Sequence, residues 1–384
     1  MSLDLTSRSV FIDDASFPIY IDVGILNSDY FVISYCRNID DDDYGGLSGL
    51  GLLCGTKNTS PISYGSEVVI MPSEVSSVVV LNEEYVITAG STGFDPAGTW
   101  LFLYSRSGTS LSYESFSFWT RQFDVMDMCA MDDSVVVVVG NPDDGSGTTM
   151  YMKAVEINKN TGNFSWGAEV SETGLQALIK TAARIDKFND TYGIVAVGGV
   201  TFAGYSYKEQ LITFSLSGTS ITSSLVNIGV NVIIYDVACI NEDEVIAVGF
   251  ASGSLKVLLF SRSGLLLTLE DSKDIYSIRG GINEAISINK FSNTEAYVFF
   301  YDPFSALKYY AKKISVSGSS LTIESTTEVD DVSSYGGFDY GYPRIKYENN
   351  LLVLAYNYYV NNYEGVIKTQ AFSTSTFTPR TMII

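Results

Sequence analysis

The stretch Glu244–Gly264 sets the terms for the whole chain, because its phrase returns at Thr99–Gly108, Glu209–Gly218 and Lys308–Gly318. It reads as an apolar strand ending at Gly249, a turn through Ser252-Gly253-Ser254, a second apolar strand and a turn at Ser263-Gly264. Two short β-rich runs bounded by Gly and Ser are a hairpin signal, since Gly supplies the positive φ that tight turns require. A chain made of one repeated hairpin phrase must stack its units, because a single small sheet cannot bury both of its faces.

In chain order the pattern gives seven four-strand units at a spacing of about 50–57 residues, the range of propellers and arrays. The first strand pairs turn at Asn27-Ser28-Asp29, Asn82-Glu83, Asp132-Asp133, Phe188-Asn189-Asp190, Asn241-Glu242-Asp243, Ser292-Asn293 and Asn349-Asn350. The second strands, among them Tyr85–Ala89, Val135–Val139, Val245–Val248 and Leu351–Tyr356, are nearly continuous apolar runs. Strands buried on both faces need that composition. The spacing therefore predicts an all-β chain: a seven-bladed β-propeller of four-stranded antiparallel blades, a single domain over residues 1–384.

The whole length resembles β-propeller repeat proteins in architecture. Gly198-Gly199 at the end of a second strand is similar to the kelch pattern. The double Gly occurs in one unit only, and the Tyr and Trp partners of that pattern are not spaced to match. No Gly-His or Trp-Asp pair of the WD type is present, nor the Asp boxes of sialidase-like propellers. The resemblance thus carries an architecture and no family activity.

Composition narrows the function by exclusion. A formal charge of −21 and the lack of a basic stripe disfavour nucleic acid and anionic membranes. Without histidine, Ser-His-Asp and Cys-His nucleophile pairs are impossible, as are His-bound metal sites. An enzyme built on this chain has to run on carboxylates, Tyr, Lys or Arg. Cys36, Cys54, Cys129 and Cys239 lack CxxC spacing and fall in strands, where free Cys packs as a small hydrophobe. Cys36 and Cys54 flank one hairpin, so a bridge there depends on Cβ geometry. The N-terminal run MSLDLTSRSVFIDD has no apolar region behind a basic start, and no secretory signal is expected. The apolar runs are too short for membrane insertion.

Candidate binding residues follow from the architecture. Loops from second to third strand, and from one unit to the next, share one face of a propeller. That face collects Tyr205 and Tyr207, Asp302, Tyr358 with Tyr359, and the long loop carrying Tyr335, Phe338, Asp339, Tyr340 and Tyr342. Aromatic rings beside carboxylates suit sugars, because rings stack on C–H faces and carboxylates accept from hydroxyls. The same rings also serve packing between blades. Asp40, Asp41, Asp42 and Asp43 are candidate Ca²⁺ ligands, although consecutive acids also make a solvated loop. No other cofactor is expected, and no residue is assigned a catalytic role. The opposite face, with turns such as Asn82-Glu83 and Asp132-Asp133, reads as structural.

The expectation is a non-enzymatic binding module whose loop face recognises a glycan or protein, of the kind found on virions, phage receptor-binding proteins or cell exteriors. A carbohydrate-active enzyme using face carboxylates is the alternative, and an intracellular scaffold the third reading. An acidic pair in the central channel favours the enzyme; aromatic platforms on the rim favour the adhesin. For closure, Thr376–Ile383 aligns with the fourth strand of the other units, and Ser9–Ile12 is expected to add to the outer edge of the last blade.

Overall fold

The computed structural model describes residues 8–13, 18–38, 48–56, 62–73, 75–92, 97–142, 149–173, 175, 179–200, 209–277, 286–302, 308–331, 344–360 and 362–371. Strand β1 is Arg8–Asp13. Blade 1 holds β2 (Pro18–Ile25), β3 (Tyr30–Asn38), β4 (Ser48–Thr56) and an outer strand in two pieces, β5 (Ser63–Tyr64) and β6 (Val68–Pro72). Blade 2 is β7 (Val75–Asn82), β8 (Tyr85–Thr92), β9 (Gly98–Ser107) and β10 (Ser110–Trp119). Blade 3 is β11 (Phe123–Ala130), β12 (Val135–Pro142), β13 (Thr149–Asn158) and a second split edge, β14 (Asn163–Trp166) with β15 (Val170–Thr173). Blade 4 is β16 (Ile179–Lys187), β17 (Tyr192–Val200), β18 (Glu209–Ser217) and β19 (Ser220–Asn227). Blade 5 is β20 (Ile233–Cys239), β21 (Glu244–Ala251), β22 (Ser254–Ser263) and β23 (Leu266–Ser277). Blade 6 is β24 (Ile286–Ser292), β25 (Glu295–Asp302), β26 (Lys308–Ser317) and β27 (Ser320–Asp331). Blade 7 is β28 (Arg344–Glu348), β29 (Leu351–Val360) and β30 (Asn362–Ala371). Every blade is an antiparallel meander, and the seven sheets form a ring: a seven-bladed β-propeller.

Turn chemistry repeats with the blades. At the inner hairpins an Asn or Asp closes the turn with its own side chain: Asn27 Oδ1 accepts from the amides of Asp29 and Tyr30, and Asn82 Oδ1 from Glu84 and Tyr85. Asp132 and Asn189 do the same. At the outer hairpins Gly108, Gly218, Gly264 and Gly318 take φ of 56–63° in open space. Each is the glycine of the recurring phrase, and left-handed backbone is what that position needs.

The second strand of each blade is the buried centre. All of β12 is buried, as are Phe31–Cys36 of β3 and Leu351–Tyr356 of β29. Their side chains join apolar clusters that span neighbouring blades. Blades 1 and 2 meet through Val32, Leu52 and Val86, and blades 2 and 3 through Leu101, Trp119 and Val136. Blades 3 and 4 share Val137 and Val195, and blades 4 and 5 share Ala196 and Val245. One cluster runs across blades 5, 6 and 7 through Val248, Val298 and Leu354. The last joins blade 7 to blade 1 through Val353, Ile367, Ile21 and Ile33. Apolar burial therefore continues around the ring, and we expect limited proteolysis to leave one resistant fragment over most of the chain. Two separately stable halves would contradict that expectation.

At the seam, β1 lies antiparallel along β30, with Ser9 opposite Ile367 and Val10 opposite Val366. The N-terminal strand thus occupies the outer edge of blade 7. Thr376–Ile383 lies outside the described residues. Cys36 and Cys54 are not bridged: Cys36 pairs in register with Leu50 and Cys54 with Val32, so the two residues sit on different rungs.

Candidate functional site

Most of the binding residues expected from sequence lie outside the described residues. These are Tyr205, Tyr207, Tyr335, Phe338, Asp339, Tyr340 and Tyr342, together with Asp40, Asp41, Asp42 and Asp43. For Tyr358 the backbone is described, in β29 opposite Glu364. Asp302 departs from its expected place on the open loop face. It closes β25 as a fully buried side chain and accepts a hydrogen bond of 3.0 Å from the Tyr276 hydroxyl. On blade 5 the second strand turns to the third through the two residues Ser252-Gly253, both with positive φ.

The polar chemistry that the described residues do concentrate is in the central channel. Counting back five residues from the one that opens each inner hairpin gives Asp22, Ser77, Asp127, Arg184, Asp236, Ser287 and Arg344, one per blade. All seven are buried. Each lies on the inner strand of its blade, Arg344 at the start of β28 and the others within their strands, and most reach across to the next blade. Asp22 Oδ2 accepts from the Val78 amide at 2.8 Å and the Ser77 hydroxyl at 3.0 Å. Asp127 Oδ2 accepts from the Ile185 amide at 3.2 Å, and Asp236 Oδ2 from the Ile288 amide at 2.9 Å and the Ser287 hydroxyl at 3.0 Å. Ser287 Oγ in turn accepts from the Ile345 amide. Between blades 4 and 5 the link is two residues lower, from the Cys239 amide to Asp186 Oδ2 at 2.7 Å. The circle closes where Arg344 Nε donates to the Ile21 carbonyl at 3.3 Å and lies 3.4 Å from Asp22 Oδ1.

One contact in this ring constrains protonation. Ser77 Oγ is 3.0 Å from Asp22 Oδ2 and also 3.0 Å from Asp127 Oδ1. A hydroxyl has a single hydrogen to donate, so both contacts are hydrogen bonds only when one carboxyl carries a proton. Asp127 is the group that burial pushes up, with Asp22 adding to the effect and Arg344 opposing it. A carboxyl raised in the folded state binds its proton more tightly than in the unfolded chain. Its contribution to stability is therefore present below the ordinary Asp pKa of about 3.9 and lost as pH rises through the folded value. The stability of the wild type relative to Asp127→Asn should accordingly fall on raising the pH above about 4. Urea titrations of both proteins across that range check the sign; a flat difference would remove the shared proton.

This arrangement is an acidic pair in the channel, but a stapled one. Asp22 Oδ1 takes the Val23 amide and Asp127 Oδ1 the Met128 amide, so all four oxygens are already engaged. The free space at the ring is about 40 Å³, which holds a few water molecules and no sugar. Among the described residues no three His, Cys, Asp or Glu side chains converge as a metal site.

Toward the inner-hairpin turns the channel widens into a funnel of about 370 Å³ between blades 7, 1, 2, 3 and 4. The face that sequence reasoning set aside as structural is the one that opens onto this cavity. Lys346 and Glu348 line it, with Asp186 and Lys187 on the opposite wall and Asp132 and Asp133 at the rim. Burial alone would lower the Lys346 ammonium, but Asp22, Asp186 and Asp127 hold it above its usual range. Lys346 is enclosed by protein yet remains solvent-accessible through the funnel. Burial raises Glu348, against the pull of Lys346 and Lys187.

A second concentration lies on the rim. On blade 2, Trp100 packs 4.6 Å from Phe118, 5.3 Å from Phe116 and 6.4 Å from Phe102, centroid to centroid, and Tyr104 meets Tyr113 edge-on at 5.9 Å. Across β9 and β10 Phe118 faces Trp100, Phe116 faces Phe102 and Tyr113 faces Tyr104, so one face of the blade carries an aromatic ladder. Phe116 and Tyr113 are 52% and 53% exposed beside the interrupted outer strand of blade 1. The alternation Trp100, Phe102, Tyr104 was legible in sequence as strand periodicity; that Phe102 and Tyr104 are buried while Tyr113 and Phe116 opposite them are exposed was not.

No protein-family profile and no curated protein matches the chain. Solved structures do match it in fold. A protein of unknown function from Dyadobacter fermentans aligns at TM-score 0.53 and 10% identity over 96% of this chain and 99% of its own. A putative 6-phosphogluconolactonase from Bacteroides fragilis aligns at 0.53 and 9% over 86% and 91%, and the NanB sialidase of Streptococcus pneumoniae at 0.52 and 12% over 96% and 71%. At these identities the likeness is one of architecture, and the chain stands among β-propellers without a family assignment.

Proposed function

We propose that this protein is a non-enzymatic binding module that recognises a neutral glycan through aromatic platforms, in the setting of a virion or cell exterior. The observation that carries the reading is the aromatic ladder of blade 2, in which the buried Phe102 and the partly buried Trp100 and Phe118 back the exposed rings of Phe116 and Tyr113. Such rings gain from stacking on the C–H faces of sugars, and buried aromatic anchors are the usual centres of binding energy. A net charge of −21 opposes acidic sugars and so favours neutral ones. The engagement of every oxygen of Asp22 and Asp127 by backbone or Ser77 weighs against the alternative, a carbohydrate-active enzyme working in the channel. The residues Tyr340 and Tyr342 are a second platform in this reading, and Asp40–Asp43 a Ca²⁺ loop.

A glycan array with the purified protein, repeated with Phe116→Ala and Tyr113→Ala and separately with Tyr340→Ala and Tyr342→Ala, tests it. Loss of one platform should weaken binding by about tenfold, the scale of a single anchor. The melting temperature should change little, since exposed substitutions cost roughly 0.5 kcal/mol or less. Absence of binding to any neutral glycan would overturn the proposal. Turnover of a glycan by the wild type would turn it to the enzyme.

A further inference from the structure

The funnel on the inner-hairpin face holds more than a structural void. Its volume of about 370 Å³ falls within the range of small-molecule pockets. Its walls mix apolar surface from Ile25, Val79, Leu81 and Met128 with six charged side chains. Four of those six are committed elsewhere. Lys187 Nζ donates to the Met131 carbonyl and pairs with Asp190 at 3.0 Å, and Asp133 pairs with Lys159 at 2.8 Å. Asp186 accepts from the amides of Lys187 and Cys239, and Asp132 Oδ1 from Ser134 and Val135 within its turn. Lys346 and Glu348 remain. Neither has a hydrogen bond or ion pair among the described residues, although each faces a cavity bordered by opposite charge.

Both belong to β28, two residues apart, so they lie on the same face of the strand. Lys346 is the deeper, two residues from the ring at Arg344, and Glu348 is next to the turn at the mouth. Their Cα atoms are separated by about 6.6 Å at the rise of an extended strand. We propose that the funnel is a binding site for a small zwitterion of the amino-acid type, its carboxylate seated on Lys346 and its ammonium on Glu348 at the mouth. The ring acids behind Lys346 keep that cation charged, and the same acids repel an anion that brings no positive group of its own. A lone anion therefore fits the field less well than a molecule carrying both charges. The apolar wall takes the hydrocarbon between the two charges, which suits a short ω-amino acid.

Calorimetric titration of the full chain with 4-aminobutanoate, and with butanoate and butylamine as single-charge controls, tests this. The zwitterion should bind, and each control should bind about tenfold more weakly or less, as expected when one charge-assisted hydrogen bond is lost. Lys346→Gln and Glu348→Gln should each weaken 4-aminobutanoate by a similar factor. Glu348→Gln is isosteric and leaves the ring acids balanced by Lys346, so a retained thermal transition in that variant separates loss of binding from loss of folding. Absence of binding at millimolar concentration, equal binding of butanoate, or undiminished binding in Glu348→Gln would each overturn the assignment. Rim and funnel are distant parts of the ring, so glycan binding and zwitterion binding succeed or fail independently.

Discussion

Asp22→Ala is expected to lower the unfolding free energy by about 3–5 kcal/mol, the cost of breaking a buried charge pair by removing one partner. The side chain is 12% exposed and accepts from the amides of Val23 and Val78 and from the Ser77 hydroxyl, while Arg344 Nε lies 3.4 Å away. Alanine deletes all four interactions at once. The Val78 amide then points into a narrow channel with no protein acceptor, and Arg344 keeps a buried positive charge beside a second one on Arg184. Each unsatisfied buried donor costs roughly 1–3 kcal/mol, so the estimate is set by a few such groups and not by the ion pair alone. Asp22→Asn retains the shape and one acceptor and should fall between wild type and alanine. Urea unfolding measures the difference. A loss below about 1 kcal/mol, the scale of an exposed ion pair, would mean that the ring is decoration on a fold held by its apolar clusters.

Removal of residues 1–13 is expected to lower the unfolding midpoint and to speed hydrogen exchange along β30. The deletion takes away β1, whose register runs from Arg8 opposite Lys368 to Asp13 opposite Glu364. Each backbone hydrogen bond is worth about 1 kcal/mol net, so the strand accounts for a few kcal/mol at the one place where covalent continuity is missing. The seam would retain the apolar cluster of Ile21, Ile33, Val353 and Ile367 and the Arg344 contacts to blade 1. It would also expose β30 as a bare edge, a template for pairing with other chains, and the truncated protein should aggregate at lower concentration. Unchanged exchange in β30 after the deletion would show that packing alone holds the seam.

How far the sequence could be read follows from which interactions are local. Val135–Val139 and Leu351–Tyr356 announce buried central strands because burial on two faces demands unbroken apolar runs. Gly108, Gly218, Gly264 and Gly318 announce outer turns because few residues tolerate φ near +60°. With seven copies of that local grammar, the propeller follows from the chain itself. The ring of Asp22, Ser77, Asp127, Arg184, Asp236, Ser287 and Arg344 has a sequence signal too, a polar residue on the inner strand at a fixed distance before each inner turn. Read one blade at a time, each member looks like an ordinary solvent-facing position. Its partners lie 50 to 58 residues away for most links and 323 residues away where Arg344 meets the Ile21 carbonyl. Only closure brings the linked atoms to between 2.7 and 3.4 Å of one another, and only closure decides that the channel is narrow at the ring and wide at the turns, where Lys346 and Glu348 are left facing open space. Hydrogen-bond partners and cavities are properties of the assembled ring, whereas strand order and turn type are properties of neighbouring residues.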